Sequence, residues 1–101
     1  MKGVKCISVL KALGEVNRLR IMRLLLNEEL GTSTVADRLH LSQYNVSKHL
    51  RILREAGLLQ MQKAGKERLY QVIPELKNPM QTRCQVLELG CCSFRFDQLP
   101  R

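Results

Sequence analysis

The chain has 101 residues, enough for one domain but not for a second core, and its 4% aromatic content leaves the core to Leu, Ile, Val and Met. A net charge of +8 indicates a polyanionic partner. No apolar run approaches the ~20 residues of a membrane span and no signal-peptide core is present, so we expect a cytoplasmic protein whose four cysteines stay mainly reduced.

Apolar residues recur at helical spacing through the first half of the chain and predict four helices, over residues 4–13, 15–27, 32–40 and 43–56. The fourth helix has the clearest boundaries. Ser42 is suited to cap its first turn, and Leu41 is placed to pack onto Val46 as a hydrophobic staple. Gly57 follows the last helical residue and is typical of a C′ position. The third and fourth helices are therefore joined by a short turn, as in a helix-turn-helix.

Two alternating segments, residues 58–63 and 68–73, flank a glycine-containing turn and predict a β-hairpin. A last helix is predicted over residues 80–89. Helices followed by a helix-turn-helix and a basic hairpin define a winged helix, so the predicted fold is mostly α with a β-hairpin wing (α+β). We expect the first and last helices to form a homodimer interface. Residues 1–90 are assigned to this domain and residues 91–101 to a C-terminal tail.

The fourth helix carries amide, hydroxyl and basic groups in its first two turns, and residues 38–54 contain no acid. These are the groups that base edges and phosphates require, although a solvated polar face is the plainer interpretation. We expect DNA contacts from eight residues: Ser42, Gln43, Tyr44, Asn45, Ser47, Lys48, His49 and Arg51. Gln43, Asn45 and Ser47 are assigned to base edges, and the basic residues with His49 to phosphates. Lys63, Lys66 and Arg68 of the hairpin are assigned to the phosphate backbone.

Three stretches, LKALGEVNRLRIMRLL, LSQYNVSKHLRILREAGLL and KAGKERLYQV, resemble the ArsR/SmtB family of bacterial metal- and metalloid-responsive repressors. The resemblance runs from about Leu10 to Leu76. Its most specific part is Ser-Gln, then Val-Ser-basic-His-Leu, then Leu-Arg-Glu-Ala-Gly-Leu. The resemblance implies a winged-helix homodimer that binds an operator without its inducer and is released when the inducer binds.

The chain departs from this family where many of its members bind metals. Residues 32–37 lack the Cys-x-Cys box that many members carry in the third helix. The zinc site that others place between their last helices needs histidines that are absent, because His40 and His49 both lie in the helix-turn-helix. We assign His49 a structural or phosphate-contact role rather than metal ligation. The sensing residues of the family therefore do not transfer to this sequence.

The cysteines offer a different sensing site. Adjacent Cys91 and Cys92 can close only a strained disulfide ring, whereas their thiolates can chelate trivalent arsenic or antimony. A third sulfur is available from Cys84 of the same chain or Cys6 of either chain, since the family packs its first helix beside the last. Inorganic arsenite favours three sulfurs and a methylated arsenical needs two. Small buried side chains and redox-active thiols are the alternatives.

We therefore expect a metalloid-responsive repressor that binds an inverted-repeat operator as a dimer, with no cofactor in the DNA-bound form and a trivalent arsenical or antimonite as inducer. A thiol-redox or other small-ligand-sensing winged-helix repressor is the alternative, and a DNA-binding module without a ligand is a third interpretation. An enzyme is disfavoured, because no phosphate loop, nucleophile–base set or paired carboxylates stand out in the sequence.

Overall fold

The computed structural model describes residues 6–76, 86–89 and 93–96 of the chain. Its helices are α1 (Cys6–Leu13), α2 (Val16–Leu25), α3 (Thr32–Leu39) and α4 (Gln43–Glu55), with a single 3₁₀ turn at Pro74–Leu76. Its strands are β1 (Leu30–Gly31), β2 (Leu59–Ala64), β3 (Glu67–Val72), β4 (Val86–Glu88) and β5 (Ser93–Arg95). Within the described ranges, four helices and an antiparallel hairpin confirm the predicted winged helix-turn-helix.

The core lies between the helices and one face of the hairpin. Helices α1 to α4 and the strands supply aliphatic side chains that are buried together in one cluster. The largest fully buried members include Ile21, Met22, Leu25, Leu50, Leu53 and Leu58. Burying a side chain of this size contributes about 1.5–3 kcal/mol, so the packing of these residues fixes how α4 sits on the domain.

The turn between α3 and α4 is held by main-chain hydrogen bonds. His40 adopts the left-handed conformation at φ 57°, which ends α3. The N–H of His40 donates to the carbonyl oxygen of Asp37 at 3.4 Å, and the N–H of Leu41 donates to that of Ala36 at 3.0 Å. This is a Schellman motif, which uses the last free carbonyls of α3 and turns the chain sharply into α4.

Both ends of α4 are capped as the sequence predicts. The Ser42 hydroxyl oxygen accepts a hydrogen bond from the Asn45 backbone N–H at 3.1 Å. At the other end, Gly57 has φ 85°, and the Leu58 N–H donates to the Leu53 carbonyl oxygen at 3.0 Å. Leu53 and Leu58 are both fully buried, which adds the apolar contact that accompanies this cap. The helix is therefore rigidly held at both termini.

The hairpin also has the predicted position, with each strand shifted by one residue. Strands β2 and β3 pair antiparallel from Leu59↔Val72 to Ala64↔Glu67, and the turn between them contains Gly65 at φ 65°. Strand β1 adds to the outer side of β3. This short third strand was not predicted, because two residues carry no periodic signal.

The last predicted helix is wrong over residues 86–88, which form β4 and pair antiparallel with β5. Leu87 and Leu89 are buried two positions apart, and Phe96 is buried with them. This spacing is the period of a strand, and its partner lies several residues further on. The Arg23 guanidinium donates to the Phe96 carbonyl oxygen, which joins the small hairpin to α2. Residues 80–85 of the predicted helix lie outside the described residues.

Candidate nucleic-acid interface

Helix α4 has two clearly different sides. The core-facing side carries three fully buried aliphatic residues: Val46, Leu50 and Leu53. On the opposite side, Tyr44, Lys48 and Arg51 recur at i, i+4 and i+7, and we call these three residues the outer row. All three are exposed, and Tyr44 retains 73% of its accessible surface. The outer row is therefore the part of α4 that projects furthest from the domain.

The outer row is ordered by local contacts. The Lys48 ammonium nitrogen lies 5.4 Å from the centroid of the Tyr44 ring, within the range of a cation–π contact. The Arg51 Nε lies 3.7 Å from a carboxylate oxygen of Glu55, one turn further along the helix. Exposed contacts of this kind contribute well under about 1 kcal/mol each to stability. Their main effect is to restrict the side-chain conformers of two cations on the exposed face.

The remaining polar residues predicted to contact bases flank the outer row. Gln43, Asn45 and Ser47 are all exposed. Ser42 is exposed as well, and its hydroxyl oxygen is already an acceptor in the helix cap. Its O–H therefore stays available as a donor. The structure thus brings the amide, hydroxyl and basic groups together on one exposed end of α4.

His49 is placed differently from the other predicted DNA-binding residues. Its side chain is 17% exposed and lies against α2. Nδ1 of His49 is 3.5 Å from a terminal guanidinium nitrogen of Arg18, and Nε2 is 3.9 Å from a carboxylate oxygen of Glu15. Arg18 also donates through Nε to the Ala12 carbonyl oxygen at 2.5 Å. We call Glu15, Arg18 and His49 the α2–α4 cluster, since it joins the start of α2 to the middle of α4.

The wing carries its cations on both strands and at the turn. Lys63 and Arg68 are directly opposite each other across the hairpin, and Lys66 lies in the turn. Like charges opposite one another destabilise a strand pair. All three residues are exposed, so a polyanion that binds here would relieve their mutual repulsion. The arrangement suits a phosphate backbone.

The wing's acidic residue lies beside another element. A carboxylate oxygen of Glu67 is 2.5 Å from the point that a Cβ of Gly31 would occupy. Helix α3 begins at the next residue, Thr32, and a negative charge is favourable at a helix N-terminus. Because glycine occupies position 31, the carboxylate can approach the backbone there. Glu67 is thus held at the start of α3.

Two contacts made by α2 were not recognised in the sequence. Besides the α2–α4 cluster, Arg20 donates to the Leu39 carbonyl oxygen at 3.0 Å and to the Asn17 side chain at 3.1 Å. The first of these contacts supplies a hydrogen bond to the C-terminal end of α3. No local pattern distinguishes an arginine that reaches a neighbouring helix from one that is solvated. Both look like a charged position on the outer face of α2.

The predicted thiol site lies largely outside the described residues. Cys84, Cys91 and Cys92 are not among them, and only the backbone position of Cys6, at the start of α1, is described. In the described ranges, three or more His, Cys, Asp or Glu residues do not come together in a way that could hold a metal ion. In the same ranges, no helix is long and apolar enough to cross a membrane.

Comparison with known proteins identifies the helix-turn-helix. Residues 15–60 match the family described as bacterial regulatory protein, arsR family. Over 68 residues the chain is 38% identical to the transcriptional activator HlyU of Vibrio cholerae. The alignment covers 67% of this chain and 63% of HlyU, so the chain spans less than two thirds of the length of that relative.

Solved structures give the same result. Reduced HlyU from Vibrio cholerae matches with a TM-score of 0.65 and 35% identity, covering 69% of this chain and 75% of that one. The homodimeric winged helix-turn-helix domain of Mb0332 from Mycobacterium bovis matches with a TM-score of 0.66 and 27% identity, covering 69% and 65%.

A third solved structure, described as a possible transcriptional regulator for arsenical resistance, has a TM-score of 0.63 and 34% identity, with 67% and 71% covered. The names of these three proteins describe regulation rather than catalysis. The helix-turn-helix, the wing and these similarities agree with one another. The chain belongs to the ArsR family of bacterial transcriptional regulators.

Proposed function

We propose that this regulator binds an inverted-repeat operator as a homodimer, with α4 in the major groove and the wing along the phosphate backbone. The observation that carries this proposal is the exposed polar end of α4, held between two caps and packed by its opposite side into the core. A net charge of +8 adds the long-range attraction that a polyanion requires. The proposed location is the cytoplasm, where an operator is accessible.

The dimer is supported by apolar surface on the first helix. Ile7 is 72% exposed and Leu10 50% exposed, three positions apart on α1. Exposed apolar residues at this spacing form one stripe, which a second copy of the chain would cover. Mb0332 is homodimeric in a related structure. A two-fold axis would place two copies of α4 on half-sites about 10 bp apart.

A substitution at Asn45 tests DNA reading. Asn45→Ala should weaken binding to the operator about tenfold and binding to a random duplex much less, because an amide that reads a base edge contributes discrimination of about 1–3 kcal/mol. Arg54→Ala, three turns further along α4, is the matched control and should change both affinities slightly and equally. Equal losses on operator and random DNA for Asn45→Ala would contradict the assignment to a base.

We propose that the inducer is a trivalent arsenical or antimonite bound by Cys91 and Cys92, with Cys84 or Cys6 as a third sulfur. In the chain, Cys91 and Cys92 fall between Glu88 and Ser93, which pair across β4 and β5. That hairpin is anchored by buried Leu87 and Phe96 and by Arg23 of α2. A change of geometry at the thiols would therefore be felt by the helices beneath. The regulator described for arsenical resistance supports this choice of effector.

Thiol oxidation is the second candidate input. HlyU has been solved in a form named reduced, which supports a redox state as a variable in a related protein. HlyU is also named an activator, whereas we propose repression for this chain. A reporter gene placed behind the operator would distinguish the two directions, since a repressor lowers expression in the absence of its effector.

Two titrations of the reduced protein separate the inputs. Arsenite should release the operator from the parent chain, with a loss of affinity of about 5- to 150-fold, and peroxide should not. The double variant with Cys91→Ser and Cys92→Ser should bind DNA normally and stay bound in arsenite. Release by peroxide alone would favour the redox input. Unchanged release of the double variant by arsenite would contradict the thiol pair as the inducer site.

A further inference from the structure

Tyr44 is an unusual residue for the surface of α4. It is the most exposed large hydrophobic side chain in the described residues, at 73%, and it lies in the first turn of the helix. An aromatic ring of this size normally buries much of its surface. The cost of leaving it in water has no compensation within the described fold, other than the contact with Lys48.

Lys48 limits where the ring can point. Its ammonium nitrogen lies over the ring at 5.4 Å from the centroid, one helical turn from Tyr44. One face of the ring is thereby occupied by the cation, while the ring edge and the opposite face remain open. The pair forms a unit on the outer row in which an apolar surface and a positive charge are held side by side.

We propose that Tyr44 is a specificity-determining residue that contacts the 5-methyl group of a thymine in each operator half-site. This inference rests on the proposed DNA-binding function. In the major groove, the thymine methyl is the apolar feature that distinguishes an A·T pair by hydrophobic contact. A ring edge beside a cation matches a methyl group that lies next to phosphates, and both members of the pair project from the same exposed face of α4.

The phenol hydroxyl gives the main competing role. A hydrogen bond from this O–H to a phosphate would add affinity without reading sequence. The two roles respond differently to Tyr44→Phe, which keeps the ring and removes the hydroxyl. A methyl contact survives that change, whereas a phosphate contact is lost on every duplex.

The experiment pairs protein variants with methyl deletions in DNA. An operator is first selected from a random duplex library by the full chain, and its thymines are then replaced one at a time by deoxyuridine. For the parent, one replacement in each half-site should weaken binding about fourfold, the value of one buried methyl group. Tyr44→Ala should bind that operator more weakly and lose its sensitivity to this replacement. Tyr44→Phe should retain both affinity and sensitivity.

Three results would overturn the proposal. Tyr44→Ala may keep every deoxyuridine effect of the parent, which assigns the methyl contacts to other residues. Tyr44→Phe may lose affinity equally on operator and random DNA, which assigns the hydroxyl to a phosphate. Failure to select any operator would overturn the proposed function itself, and is distinct from the first two results. Because Tyr44 is exposed, all variants should unfold at the same temperature as the parent within a few degrees.

Discussion

At the residue scale, the backbone of His40 is the clearest place where the sequence and the local geometry conflict. His40 has φ 57°, a conformation that is unfavourable for residues with a Cβ and free for glycine. Its Schellman hydrogen bonds nevertheless fix the turn that aims α4. The position therefore carries strain that the surrounding helices sustain.

His40→Gly should raise the free energy of unfolding by about 0.5–1 kcal/mol, because relief of the left-handed conformation exceeds the added entropy of an unfolded glycine. His40→Ala, which retains a Cβ, is the control and should give no increase. Urea denaturation at equilibrium measures both. A glycine variant that is no more stable than the alanine variant would show that the turn is not strained.

At the same scale, His49 distinguishes a packing role from a DNA contact. His49→Ala should lower the free energy of unfolding by about 1–2 kcal/mol, since it removes the partners of Glu15 and Arg18 at a largely buried position. Ser47→Ala, exposed two residues earlier, is the matched control and should be close to neutral. An unchanged stability with weaker binding on all duplexes would instead support the phosphate contact predicted from the sequence.

At the scale of elements, the local signals explain what the sequence could predict. Ser42, Val46 and Gly57 specify α4 through a cap, a buried side and a C′ residue that are all close in the chain. The strand at residues 86–88 was misread as helix because its partner lies beyond a connection and its own three residues are ambiguous. The contacts of Arg18 depend on how α1, α2 and α4 pack, which no local pattern records.

The wing gives a prediction in which stability and binding change in opposite directions. Lys63→Gln should stabilise the fold slightly, by about 0.2–1 kcal/mol, because it removes the repulsion with Arg68 across the hairpin. The same change should lower the slope of log K against log salt by about 0.9 through loss of one phosphate contact. Binding at several salt concentrations measures the slope, and Gln60→Ala, at an exposed neutral position of β2, is the control. An unchanged slope with altered base preference would assign sequence reading to the wing.

At the scale of the whole molecule, the exposed stripe on α1 links assembly to DNA binding. Leu10→Asp should convert a dimer into a monomer, because a carboxylate would be buried without a partner at the interface. Ser8→Asp puts the same charge on an exposed polar position of α1 and should leave the dimer intact. Sedimentation measures the mass of each variant. A dimeric Leu10→Asp variant would place the interface elsewhere.

The measurement that tests the central claim most directly is a binding titration of the reduced chain on its selected operator and on a scrambled duplex at one salt concentration. The account predicts two chains per inverted repeat and an affinity for the operator at least about a thousandfold higher than for scrambled DNA, the lower end for specific regulators. Equal affinities for the two duplexes, or one chain saturating the repeat, would contradict it.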